Sequence, residues 1–350
     1  MATLTTSIRE TKLDKERNRI RRERICMGRN LYRGAWRQLL KDLSQFHYPS
    51  IKRHSGAIEE LMAKVNAYRL AVLTHTKFMA LHEPTITFAE GFDAQEQRWS
   101  EIARDCLFPL RVFESILKQY RDAESWWRIT AHDRQACLSV ADSLQVYPLG
   151  EFGHDDQPRA VDLRWVICKT VDRREKYFLR VERHTPGLIE NFAYEVQGKA
   201  NCEIPEKGQP LDLRTVLGDD APEPQQATGV DRPLLFRSAL LVVDDETQAL
   251  IEKEDFDILD ANAKSLSQLL MNQDRHGSPI VRLSDESQLE EDGTFDASKR
   301  ARVAQRDELE YIGFEAKLNE GLDSFARILR YLLIQLEMSP ALLGLTEGAA

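Results

Sequence analysis

The stretch Tyr177–Val196, YFLRVERHTPGLIENFAYEV, decides how the middle of the chain folds. Two strand-like runs, Tyr177–Arg183 and Leu188–Val196, flank Thr185-Pro186-Gly187. Proline presets φ at about −65° and glycine accepts positive φ, which are the two demands of a type II turn. The spacing therefore predicts a β-hairpin over Tyr177–Val196. Working outward, Leu163–Cys168 is a short apolar run and Leu234–Val243 reads as a buried strand. Asp219–Asp231, rich in Pro, Asp and Gln, reads as an exposed loop.

On both sides of this β region the apolar period changes to three and four. Ile58, Leu61, Met62, Val65, Tyr68, Val72, His75 and Met79 form one helical face after His54 or Ser55, stopped at Glu83-Pro84. His75 lies on that stripe and reads as a hydrogen-bonded core histidine. Leu31, Ala35, Leu39 and Leu43 give a weaker helix ended near Tyr48-Pro49, and Pro109 divides a helical stretch over Arg98–Tyr120 into two. Further on, Phe256, Leu259, Ala263, Leu266 and Leu270 mark a helix ending near His276-Gly277. Tyr311, Phe314, Leu318, Leu322, Phe325, Leu329, Leu332 and Leu336 mark a longer one stopped at Ser339-Pro340. Between them, Pro279–Leu283 carries a strand signal. After it come blocked charges: Asp285, Glu286, Glu290, Glu291, Asp292 and Asp296, then Lys299, Arg300, Arg302 and Arg306. The pattern is α+β.

The 350 residues are enough for about two structural regions. No run reaches the ~18 apolar residues of a membrane span, and Met1–Arg37 carries charge where a signal peptide needs an apolar stretch. Cys26, Cys106, Cys137, Cys168 and Cys202 contain no C-x-x-C pair, which excludes a disulfide scaffold or a standard zinc finger and fits a reducing cytosol. The net charge is −9, yet Arg9–Arg37 holds eleven Lys or Arg against four Asp or Glu, leaving −16 for the remainder. A basic arm on an acidic body points to a nucleic-acid contact, to docking on an acidic neighbour, or to a solvated helix whose charges do nothing specific. The acidic body argues against wrapping DNA by phosphate neutralisation.

Catalytic signatures are sparse. Ala239–Glu246 resembles a Walker B strand presenting Asp244, Asp245 and Glu246 to a metal, but the chain has no phosphate-cradling G-x-x-x-x-G-K-[ST]. The simpler reading makes Asp244–Glu246 the capped start of a following helix, where acids complement the dipole. His132, Asp133 and Cys137, or His154, Asp155 and Asp156, offer incomplete metal-ligand sets. Trp126-Trp127 could stack a base, and a buried pair in a helix is the plainer alternative. The expectation is a non-enzyme without cofactor or metal.

Taken in order, several segments resemble the portal (head-to-tail connector) proteins of tailed bacteriophages, over Arg29 to the end. The helix Gly56–His82 followed by Glu83-Pro84-Thr85-Ile86-Thr87-Phe88 is similar to the portal opening, and Tyr177–Tyr194 to the wing hairpin. Asp255–Asp260 through Arg275–Val281 resembles a stem helix entering the clip. Tyr311–Leu345, with Met338-Ser339-Pro340-Ala341-Leu342-Leu343-Gly344-Leu345, resembles the second stem helix and its exit. The resemblance implies residues 1–50 as a basic arm, 51–244 as a wing of helices and strands, and 245–277 as the first stem helix. It implies 278–310 as a small α/β clip, 311–338 as the second stem helix and 339–350 as the start of a tunnel loop, the crown being absent from this chain.

Functionally, the resemblance implies a homo-oligomeric ring of about twelve copies at a capsid vertex of the virion, assembled in the bacterial cytoplasm. Double-stranded DNA passes through such a ring during packaging and ejection. The implied partners are the terminase large subunit, a head-tail adaptor and the major capsid protein or scaffold, with no membrane. Ring contacts are expected from Asp285, Glu286, Glu290 and Glu291 of one copy against Lys299, Arg300, Arg302 and Arg306 of the next, or else these charges neutralise one another within one hairpin. Stem packing is expected from Phe256, Leu259, Leu266, Leu270, Leu318, Leu322, Phe325 and Leu329, because two apolar stripes bracketing a thin excursion need sister copies to cover them. The alternative function is a metal-dependent nucleic-acid enzyme or packaging accessory using Asp244, Asp245 and Glu246.

Overall fold

The computed structural model of the chain describes residues 10–34, 66–82, 84–132, 135–152, 157–171, 173–198, 202–205, 210–219, 221–240, 242–243, 246–247, 250, 258–259, 262, 265, 280–283, 309–312 and 318–343. The chain divides into two compact units, one of Met1–Leu39 with Tyr68–Glu252 and one of Leu40–Ala67 with Lys253–Ala350.

The first unit opens with α1, Lys12–Arg33. Thr11 and Asp14 form a reciprocal capping box at its start, so two otherwise orphaned amides are satisfied. Gly34 ends it at φ 71, its N–H on the Asn30 and Leu31 carbonyls. Leu31 of the helix expected to end near Tyr48-Pro49 lies in α1, which ends at this glycine, and Ala35, Leu39 and Leu43 fall among residues 35–65, outside the described set. Next, α2 (Ala67–Met79) is the described part of the helix expected over Gly56–His82, with Tyr68, Ala71, Val72 and Thr76 buried. His75 stacks on Tyr120, ring centroids 5.0 Å apart.

The helical stretch around Pro109 is indeed two pieces, α3 (Asp93–Asp105) and α4 (Phe108–Asp122). Pro109 sits in the first turn of α4, where its missing N–H costs nothing.

Two antiparallel sheets follow. Strands β1 (Glu124–His132) and β2 (Gln135–Ala141) pair along their length, and β8 (Leu235–Ala239) joins the other side of β1. Trp126-Trp127 thus lies in a strand, not a helix. Alternation sends Trp126 into a core with Val146, Val161, Leu163 and Leu235, while Trp127 meets Phe108 of α4. The second sheet is a meander of β3 (Val146–Phe152), β4 (Pro158–Val171), β5 (Arg174–Thr185), β6 (Leu188–Val196) and β7 (Gln225–Ala227).

The expected hairpin is β5–β6, in register from Tyr177↔Val196 to Thr185↔Leu188, with Gly187 at φ 78. Leu179, Val181 and Val196 pack on one face. Phe178 and Ala193 pack on the other, under α5 (Leu213–Leu217). Each fully buried aliphatic here contributes about 1.5–3 kcal/mol.

Downstream, Val242–Val243 (β9) pairs antiparallel with Glu246–Thr247 (β10). The reading of Asp244–Glu246 as a helix start is corrected at Glu246, which lies in β10, its backbone paired opposite Val243; Asp244 and Asp245 lie outside the described residues.

In the second unit, β11 (Ile280–Leu283) pairs with β12 (Leu309–Ile312), Val281 opposite Tyr311. Tyr311 is therefore in a strand, and the last helix, α6, spans Leu318–Gln335 rather than starting at Tyr311. The expected strand signal at Pro279–Leu283 found its partner inside the segment read as helix. The stop before Pro340 is a Schellman turn: Met338 N–H bonds the Leu333 carbonyl at 2.8 Å and Glu337 N–H bonds that of Ile334 at 3.0 Å. Glu337 takes the left-handed position at φ 55.

Candidate functional site

In the described part of the basic arm, Arg17, Arg21, Arg22 and Arg29 of α1 are engaged by their own chain. β3 is the edge of the meander, and its outward carbonyls recur every second residue. Arg21 donates to the Val146 and Ser143 carbonyls (2.7 Å each), Asn18 to Pro148 (3.2 Å) and Arg17 to Gly150 (2.9 Å). Arg22 reaches the Leu144 carbonyl, and Asp14 accepts the Gly150 N–H at 3.0 Å. Positions 14, 17, 18 and 21 share one helical face, so a helix lies along a strand edge and satisfies it.

The same face anchors the helical layer. Arg21 pairs with buried Glu124, whose carboxylate also takes the Trp126 indole N–H at 2.7 Å. Arg29 bridges Asp122 (2.8 Å) and Asp142 (2.5 Å). Gly28 lets α1 close on the end of α4, since a Cβ there would lie 2.1 Å from the Arg121 carbonyl oxygen.

Within the sheet, charge is buried and paired. Asp162, fully buried, accepts from Arg183 (2.7 and 3.0 Å) and Arg164 (2.8 Å), and Arg164 continues to Glu10 (3.2 Å). Burial alone would raise the Asp162 carboxyl, but the Arg183 hydrogen bonds and the two guanidinium charges hold it below the usual range. Glu182 accepts from Arg128 (2.6 Å) and bonds the His184 ring at 2.8 Å. Against the cost of burial, those contacts hold it at about 2. Arg164 lies over Tyr147 and Arg237 over Phe152, at 4.2 and 4.1 Å. Carboxylates locked as anions in this way serve as structural ions and are poor proton donors at neutral pH.

Beside this network is an apolar groove of about 540 Å³, lined by Ile129, Pro158, Val230, Pro233, Leu234 and Phe236, with Arg159 and Arg232 among its walls. Gln157, on its wall, is fixed by bonding both ways to the Arg237 backbone, at 2.7 and 3.0 Å. Sequence reading missed both groove and arm clasp.

Of the expected site residues, Asp285, Glu286, Glu290, Glu291, Lys299, Arg300, Arg302 and Arg306 lie outside the described residues, as do Phe256, Leu266, Leu270, Asp244 and Asp245. Leu259 is buried. Leu318 opens α6; Leu322 is 49% exposed, and Phe325 and Leu329 are half-buried. At the end of the same stripe Leu332, Leu333 and Leu336 are sealed within the single chain. The expectation that sister copies cover the whole stripe is corrected at Leu332 and Leu336, which this chain buries itself.

Among the described residues no cluster of His, Cys, Asp or Glu could hold a metal ion; of the sequence candidates, Asp133, His154, Asp155 and Asp156 lie outside them, while Cys137 is on β2. No described helix is long and apolar enough to cross a membrane.

No family model matches the chain, and no curated protein matches it. Among solved structures, the neck of an empty gene transfer agent particle, computed with C6 symmetry, aligns over 85% of this chain and 72% of that chain. The identity is 11% and the TM-score 0.39, a likeness too slight to carry an argument about this chain.

Proposed function

We propose that this chain is a structural connector subunit of the portal kind. It assembles with copies of itself into a ring, about twelve in number, that conducts double-stranded DNA at a capsid vertex. On this reading the ring docks the terminase large subunit, a head-tail adaptor and the capsid or scaffold, and it performs no chemistry of its own.

The observation that carries the reading is the pair of large apolar side chains left open on one side of the stem-like helix α6. Tyr331 and Ile334, three residues apart, are 66% and 59% exposed, and Leu322 on the opposite side is 49% exposed, where a solitary chain gains nothing from showing them. The order of segments in the sequence supports the same reading: a wing hairpin, a charged short-stranded excursion, and a leucine-rich helix closed before a proline.

The test is direct. The purified chain, imaged by negative stain and weighed by sedimentation over a range of salt and protein concentration, is expected to give annular particles of about a dozen copies. A single-copy mass under every condition sinks the proposal.

A further inference from the structure

One segment of the first unit carries apolar surface with almost nothing of its own chain to cover it. Pro84–Ala89 belongs to no helix or strand and is nearly all exposed, and α3 follows it without a single buried residue. Ile86 and Phe92 are exposed, and the adjoining Phe78, Met79 and Leu81 are as well. What ties α3 to the body lies in its second half and at its end: Trp99 meets Phe108, centroids 5.1 Å apart, and the Cys106 cap bonds β2 at Ala136 and Leu138. A helix of this length is marginal on its own in water, and a long connection without its own packing is usually functional. Its charge is one-sided at the start: Glu90, Asp93 and Glu96 stand beside Phe92.

The groove beside β8 is the complementary surface. Its floor is apolar, its volume is in the range that accepts several large side chains, and its described lining holds two exposed arginines, Arg159 and Arg232, and no carboxylate. No residue of the projecting segment lines it.

The geometry points to a head-to-tail contact between copies of this chain, in which Pro84–Arg98 of one copy seats Ile86 and Phe92 in the β8 groove of the next and sets Glu90, Asp93 and Glu96 against Arg159 and Arg232. Apolar anchors give the affinity and the opposed charges fix the register. Because giving and receiving patches differ, the contact is heterologous, and repetition makes a closed ring or an open filament. Its closure into a ring rests on the connector reading above.

The experiment uses the full chain and two sets of substitutions at exposed positions. Phe92→Asp disables the projecting segment, and Arg159→Glu with Arg232→Glu disables the groove. Each alone is expected to raise the concentration for half-assembly at least tenfold by sedimentation, with unchanged circular dichroism. Mixed together, the two variants keep one working face each, so one-to-one pairs and nothing larger are expected. Adding Asp93→Arg and Glu96→Arg to the groove variant is expected to restore assembly, a readout that misfolding could not mimic. Wild-type rings with both variants assembling normally would overturn this contact, leave the groove to a different protein, and spare the connector reading. A wild-type chain that stays single overturns both.

Discussion

Helix α1 carries seven arginines and helix α6 is rich in leucine, yet it is α1 whose polar face is buried and α6 that shows large apolar side chains to solvent. In α1 the buried set includes Asp14 and Asn18, both held by partners on β3. In α6 the apolar stripe is sealed only towards its end, at Leu332, Leu333 and Leu336. The difference teaches that burial follows available partners more than hydropathy: a strand edge rich in unpaired carbonyls recruits donors, while Leu322, Tyr331 and Ile334 find no cover among the described residues and stay open.

The contrast can be broken from the α1 side. Arg21→Ala strands the Glu124 charge in the interior and is expected to cost about 3–5 kcal/mol, read as a lower denaturation midpoint. Arg19→Ala, on the solvent face of the same helix with Glu16 and Glu23, should leave that midpoint unmoved. Next in size is an acid effect. Glu182 is held at about 2 when folded against an ordinary 4.5, so its contribution is fully present above about pH 4.5 and is lost as pH falls from there towards 2. Glu182→Gln is expected to flatten stability across that window in acid titrations followed by fluorescence.

Two smaller changes sharpen the comparison. Gly28→Ala forces a methyl into the Arg121 carbonyl and is expected to destabilise by about 1–3 kcal/mol, seen as a lower Tm. On α6, Glu337→Gly relieves a left-handed residue in the Schellman turn and is expected to stabilise by about 1 kcal/mol in the same melt.

Much of the local fold was legible because local chemistry dictated it. Pro186-Gly187 set the β5–β6 turn, Pro109 set the break between α3 and α4, and Ser339-Pro340 set the end of α6 within a few residues. Failures came where distant partners decide. Trp126-Trp127 is a strand because β2 and β8 flank it, which nothing within Glu124–His132 announces. Tyr311 fits a leucine stripe by spacing, yet pairing with Val281 claims it.

The candidate surfaces were less legible still. The arm's polar face was present as Asp14, Arg17, Asn18 and Arg21 at helical spacing, but an apolar template cannot register a polar stripe. The groove joins Ile129, Pro158 and Leu234 from three separate segments, so no single window contains it.

The clasp of α1 on β3 has a consequence for biosynthesis. Its bonds join residues 122 to 136 positions apart, so the helix leaves the ribosome well before the strand it will cover. At translation speeds of about 5–20 residues per second that interval is roughly 6–27 s. A chain that loses its first thirty residues to a protease would complete the meander with a bare margin, ready to zip onto any other unfinished copy.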